Sequence, residues 1–250
     1  MIFKVFFETN LVPEQKDEHL DIKHTLEIME TLVERSFGKK APVYTVYFKT
    51  DFPNPQCYRI TTPQIIILAT SPLEYREIPY QFFHELCHLM IGEGTPKKFK
   101  WFEESLCALS TIYFMLRYEI ESNLNLSEYL AINCQNFELF ETSELLDPHT
   151  EITYQLENNE YDREKNKWIA LNLLPIAQKY GPNFWRFFSS LHVASSDLTF
   201  QLLIHFLAQK AITNNILSLP ESMAIFGDIL ETFREPSNMS LNKLKQFNGE

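Results

Sequence analysis

The sequence predicts an α+β protein, with a small mixed sheet near the N-terminus and a mainly helical remainder. Three observations carry this reading. Glycine occurs only 6 times against 13 prolines, and aromatic residues make up 14% of the 250. That balance suits proline-bounded helices packed by large side chains better than a glycine-turned all-β chain. Runs rich in β-branched and aromatic residues stop at Ala69, and from Pro79 onward the apolar positions recur at helical spacing.

The strand signals are Ile2 to Phe7, Val43 to Phe48, a short run near Tyr58 to Thr61, and the apolar segment Ile65 to Ala69. Between the first two lies one amphipathic helix, with Pro13 near its start and Ile22, Leu26, Met29, Val33 and Phe37 on one face. Gly38 stands where a chain leaves a helix through a left-handed residue. Pro79 opens a helix that Gly92 stops after Ile91, and a second runs from about Phe102 to Tyr118. Residues 134 to 166 hold no sustained period, which predicts short helices and loops bordering a cleft. Helices return at Trp168 to Tyr180, where Pro175 predicts a kink, then at Asn183 to Leu191, Leu198 to Gln209 and Ser222 to Phe233. A polar tail follows Pro236.

Composition narrows the function. The net charge of -11 repels phosphate backbones and anionic membranes, so no nucleic-acid partner and no membrane partner is expected. No stretch approaches the roughly 18 to 20 apolar residues of a bilayer span, and the run at the N-terminus is broken by Lys4 and Glu8, so no signal peptide is expected either. The four cysteines form no CxxC pair, which fits a reducing, cytoplasmic setting.

The chemistry lies in His84-Glu85-Leu86-Cys87-His88, an HExxH sequence inside the helix opened by Pro79. Histidines four apart lie one turn above each other, so two imidazoles converge on one metal while Glu85 stands beside the position of an activated water. A catalytic zinc needs a third protein ligand. The position six residues after His88 is Gly94, which rules out a three-histidine site, and no other histidine comes before His149. Trp101-Phe102-Glu103-Glu104-Ser105-Leu106-Cys107-Ala108 follows instead, bringing two carboxylates to the start of the next helix.

These two strings together resemble the gluzincins, zinc peptidases in which HExxH is followed on the next helix by a glutamate ligand, often within W-x-x-E-G-x-A. The resemblance places Trp101 at the tryptophan and Glu104 at the ligand, with Glu103 as the rival; Ser105 replaces the glycine and Cys107 the small residue. It implies one Zn2+ on His84, His88 and Glu104, Glu85 as general base, and hydrolysis of peptide bonds in peptide or unfolded-protein substrates. It also implies a thermolysin-like core: residues 1–118 as a sheet-bearing half holding both ligand helices, 119–235 as a helical lobe closing the cleft, and 236–250 as tail. An edge strand, Ile65 to Ala69 or its neighbour, is then expected to pair with an extended peptide.

The aspartate with which thermolysin-like members of the family orient a ligand histidine falls at Ala108 here, so the resemblance leaves that task to Glu103, Glu119 or a backbone carbonyl. Tyr154, Tyr161 and His149 are the candidate oxyanion donors. His19, His24, His192 and His205 have no ligand spacing, and Phe184 to Phe188 is expected in the core. The net charge favours neutral or basic peptides. The alternative reading is a catalytically silent gluzincin-like binding or regulatory protein, whose metal is structural or lost.

Overall fold

A computed structural model describes residues 3–7, 16–122, 124–134, 141–158 and 162–234. The fold is α+β and mostly helical. Four strands, β1 (Phe3–Phe7), β2 (Tyr44–Phe48), β3 (Gln56–Tyr58) and β4 (Gln64–Leu68), form one mixed sheet in the order β1-β2-β4-β3. The first three in that order run parallel, and β3 lies antiparallel to β4 with Cys57 opposite Ile66. The crossover from β1 to β2 is the long helix α1 (Lys16–Phe37), as parallel pairing requires. Its apolar row Ile22, Leu26, Met29, Val33 and Phe37 is buried as the spacing predicts.

Two strand ends differ from expectation. β3 covers Gln56–Tyr58 and not Tyr58 to Thr61, because Arg59 turns away to bond the carbonyls of His88 and Gly92. β4 stops at Leu68 because the Ala69 amide donates instead to the Gln81 side chain, at 2.7 Å. Since β4 has strands on both sides, it cannot accept a peptide strand; the edges are β1 and β3, of which β3 is β4's neighbour.

The motif helix α2 (Glu77–Ile91) carries Pro79 in its first turn, where a missing N–H costs nothing. Gly92 ends it at φ 97°, and a Cβ there would meet the His192 ring at 3.4 Å. After a 3-10 turn at Lys97–Phe99, α3 (Lys100–Ser122) returns beside α2. Their register is set by hydroxyl bonds: Ser110 donates to the Phe83 carbonyl at 3.0 Å and Thr111 to that of Tyr80 at 3.2 Å.

Short helices α4 (Leu126–Asn133) and α5 (Glu151–Asn158) lead to α6 (Arg163–Tyr180). α6 starts more than a turn earlier than Trp168, capped by Asp162, whose side chain accepts from the Lys165 amide, and it runs through Pro175. α7 (Pro182–Phe187), a 3-10 turn (Phe188–Val193), α8 (Phe200–Thr213) and α9 (Leu219–Arg234) complete the described chain. Phe184, Trp185, Phe187 and Phe188 are buried as expected, Trp185 packing on Phe37, Tyr113 and Phe114. Pro13, expected near the start of α1, and the tail beyond Pro236 lie outside the described residues.

Candidate metal centre

The centre is built from the facing sides of α2 and α3. Successive helix residues point about 100° apart, so Glu103 and Glu104 cannot face the same way, and each takes a different task. Glu104 turns to the cleft, where its two oxygens lie 3.1 Å from His84 Nε2 and 3.4 Å from His88 Nε2. Glu103 turns inward, 2.7 Å from His88 Nδ1, and has no exposed surface. The same Glu103 oxygen receives the Arg59 guanidinium at 2.7 Å and its other oxygen receives Lys100 at 3.0 Å. Arg59 also donates to the His88 carbonyl at 3.3 Å and to the Gly92 carbonyl. One buried carboxylate thereby fixes an imidazole, a guanidinium and the end of the motif helix.

The ionisation pattern follows from this packing. Burial alone would raise Glu103, but the His88 hydrogen bond and the charges of His88, Arg59 and Lys100 bring it down to about 2. Burial opposes ionisation of Glu104 as well, yet the His88 charge and the bonds from both histidines hold it well below the usual carboxylate range. His88 is the converse: burial would lower it, and Glu104 and Glu103 hold it well above an ordinary imidazole. Glu85, 4% exposed, is pushed up chiefly by burial, with Glu104 adding to the rise and the two histidines opposing it.

His84, Glu85, His88 and Glu104 all line one cleft of about 1060 Å³. β3 and the loop before it form one side, and Arg163, Asn166 and Lys167 of α6 another. Two donor sets can therefore be drawn. His84, His88 and Cys107 offer ligand atoms within 4.8 Å of one another and can hold a metal ion. His84, His88 and Glu104 present two imidazole nitrogens and a carboxylate to one another at the cleft wall. The Cys107 thiol is fully buried, and burial, followed by the hydrogen bond and charge of Cys87, pushes it well above an ordinary thiol.

The other candidates fall elsewhere. Glu119 accepts from the amides of Leu126 and Ser127 at 3.1 and 3.2 Å and starts α4. Tyr154 is 65% exposed on α5 and His149 is exposed beside Asp147, and neither lines the cleft; Tyr161 lies outside the described residues. His24 is exposed near Glu27, and His205 packs on Phe226. Sequence spacing does not single out Arg59, Lys100, Arg163 or Lys167. Only the Asp162 cap, at the head of a face repeating at i, i+3 and i+4, is a local signal for the last two.

No protein-family model, curated protein or solved structure matches the chain. No helix among the described residues is long and apolar enough to cross a membrane.

Proposed function

We propose that the protein is a zinc-dependent hydrolase of peptide bonds, similar in plan to the gluzincins, with the metal held by His84, His88 and Glu104. The observation that carries this reading is the approach of both Glu104 oxygens, within 3.4 Å, to the Nε2 atoms of the two motif histidines. That donor set fits zinc, with Glu103 on the far nitrogen of His88 supplying the orienting carboxylate whose position at Ala108 is empty of one. Cys107 is the weaker donor: a thiol must lose its proton to bind metal, burial keeps that proton on, and the side chain does not border the cleft. Zinc bound here supplies a Lewis acid for a carbonyl and lowers the pKa of a water toward about 7.

The protein's own groups supply the rest. Glu85, whose carboxyl is raised by burial, lines the cleft beside the two histidines, where it would accept a proton from an attacking water and return it to the leaving nitrogen. Edge strand β3 borders the cleft through Gln56 and Cys57, where an extended peptide can add to the sheet. The four free cysteines support a reducing, cytoplasmic setting.

The test is metal content of protein purified without added metal, alongside peptide hydrolysis. One zinc per chain is expected in the wild type and in Cys107→Ala, and little in Glu104→Gln. Glu85→Gln should keep zinc and lose at least about 100-fold in turnover. Zinc retained in Glu104→Gln but lost in Cys107→Ala would overturn the ligand assignment, and undiminished turnover in Glu85→Gln would overturn the base.

A further inference from the structure

The net charge of -11 sets a field against acidic substrates, but the walls of the cleft depart from that average. Arg163, Asn166 and Lys167 lie on one face of α6 and border the cleft. Asn166 accepts from the hydroxyl of Ser105, the neighbour of Glu104, at 3.2 Å, which sets this face beside α3. Arg163 donates to Asn54 Oδ1 at 2.5 Å and Lys167 to the Asn133 carbonyl at 2.8 Å. Both partners are neutral, so the cations are oriented without being neutralised, and among the described residues neither meets a carboxylate.

Most of the other cleft charges have partners, Glu85 being the exception. Arg59 and Lys100 pair with Glu103. Glu104 faces the two histidines, and Glu77 receives the Tyr129 hydroxyl and the Gln81 amide. Glu77 thus keeps its charge between neutral partners, and Glu85 lines the cleft without an ion pair among the described residues, so the uncompensated carboxylates sit on α2 and the uncompensated cations on α6. A carboxylate entering there gains two charge-assisted donors in a concave site, where field lines are focused.

We propose that the cleft selects peptides carrying a carboxylate, received by Arg163 and Lys167. The assignment rests on the peptidase reading of the cleft for its substrate class. The carboxylate has two possible sources, an acidic side chain and the free C-terminus of the peptide, and the same two cations serve either.

The experiment compares matched peptides: glutamate against glutamine at each position, and free C-terminus against C-terminal amide. Each pair is measured twice, as kcat/KM with the zinc-loaded wild type and as equilibrium binding to zinc-loaded Glu85→Gln. The expected result is a preference for the carboxylate member of at least about tenfold, ~1.4 kcal/mol. The arm in which it occurs names the source. Arg163→Gln combined with Lys167→Gln, in either background, should bring the ratio near one. Arg163→Glu with Lys167→Glu should turn the preference toward lysine-containing peptides, a gain that a damaged fold does not produce.

Equal binding of carboxylate and amide members, a preference that survives the double glutamine variant, or no measurable binding of any peptide overturns the proposal. Carboxylate-selective binding without hydrolysis of any peptide would remove the peptidase reading and leave the anion subsite standing. Hydrolysis without carboxylate preference would do the reverse.

Discussion

The two walls of the cleft handle charge in opposite ways. On the α2–α3 side the charges are locked together around a buried pair: Glu103, buried with His88, also holds the half-buried Arg59 and Lys100, and Glu104 holds the Nε2 atoms of both histidines. On the α6 side Arg163 is exposed and Lys167 half-buried, and each meets a neutral oxygen. A buried charge left without its partner costs several kcal/mol, so the first wall must be complete in the folded state. An exposed cation costs little and keeps its charge available to a ligand. Rigidity serves the metal side, and availability serves the facing rim.

The contrast breaks most clearly at Glu103. Glu103→Ala strands His88, Arg59 and Lys100 beside a cavity, and the metal-free protein should lose about 3–5 kcal/mol. Arg163→Ala should change stability by less than about 0.5 kcal/mol. Urea denaturation of both variants checks this, and equal losses would mean that the rim is part of the scaffold.

Acid offers a gentler version of the same test. The folded-state pKa of Glu103 is about 2 against an ordinary 4.5, so its contribution is present above pH 4.5 and is lost as pH falls toward 2. The full difference is on the order of 3 kcal/mol and counts the Glu103–His88 attraction once. Denaturation of metal-free wild type and Glu103→Gln between pH 6 and 2.5 should show the wild type's lead shrinking across that window. A constant lead would mean that the stabilisation comes from packing.

What the sequence disclosed divides along the same line. His84, Glu85, His88 and Glu104 were legible because helical spacing and a short turn between two helices are local properties. The separate tasks of Glu103 and Glu104 were only partly legible, since both stood as ligand candidates until their 100° separation was fixed by the packing of α3 on α2. Arg59 was not legible at all. Its partner Glu103 is distant in the chain, and the strand pattern at Tyr58 to Thr61 assigned it to a strand that in fact ends at Tyr58. Arg163 and Lys167 were hidden because the first turn of α6 follows a stretch rich in asparagine and acidic residues, whose loop-like composition masked the Asp162 cap.

The smallest effect concerns the bond that ties the walls together. Ser105 follows Glu104 on α3, and its hydroxyl lies 2.8 Å from the Trp101 carbonyl and 3.2 Å from Asn166 Oδ1. A glycine there would loosen α3, and would leave Asn166, between Arg163 and Lys167, without this link to the ligand helix. Ser105→Ala isolates the hydroxyl: the lost hydrogen bonds cost about 1 kcal/mol, and the better helix propensity of alanine returns about 0.5. The net loss should be near 0.5 kcal/mol, with zinc content unchanged because the backbone of Glu104 stays in place. Combining it with Asn166→Ala in a double-mutant cycle should give a coupling of about 0.5–1 kcal/mol. A coupling near zero would mean that α6 is positioned by its apolar face alone, and that the two walls are independent in energy as well as in their handling of charge.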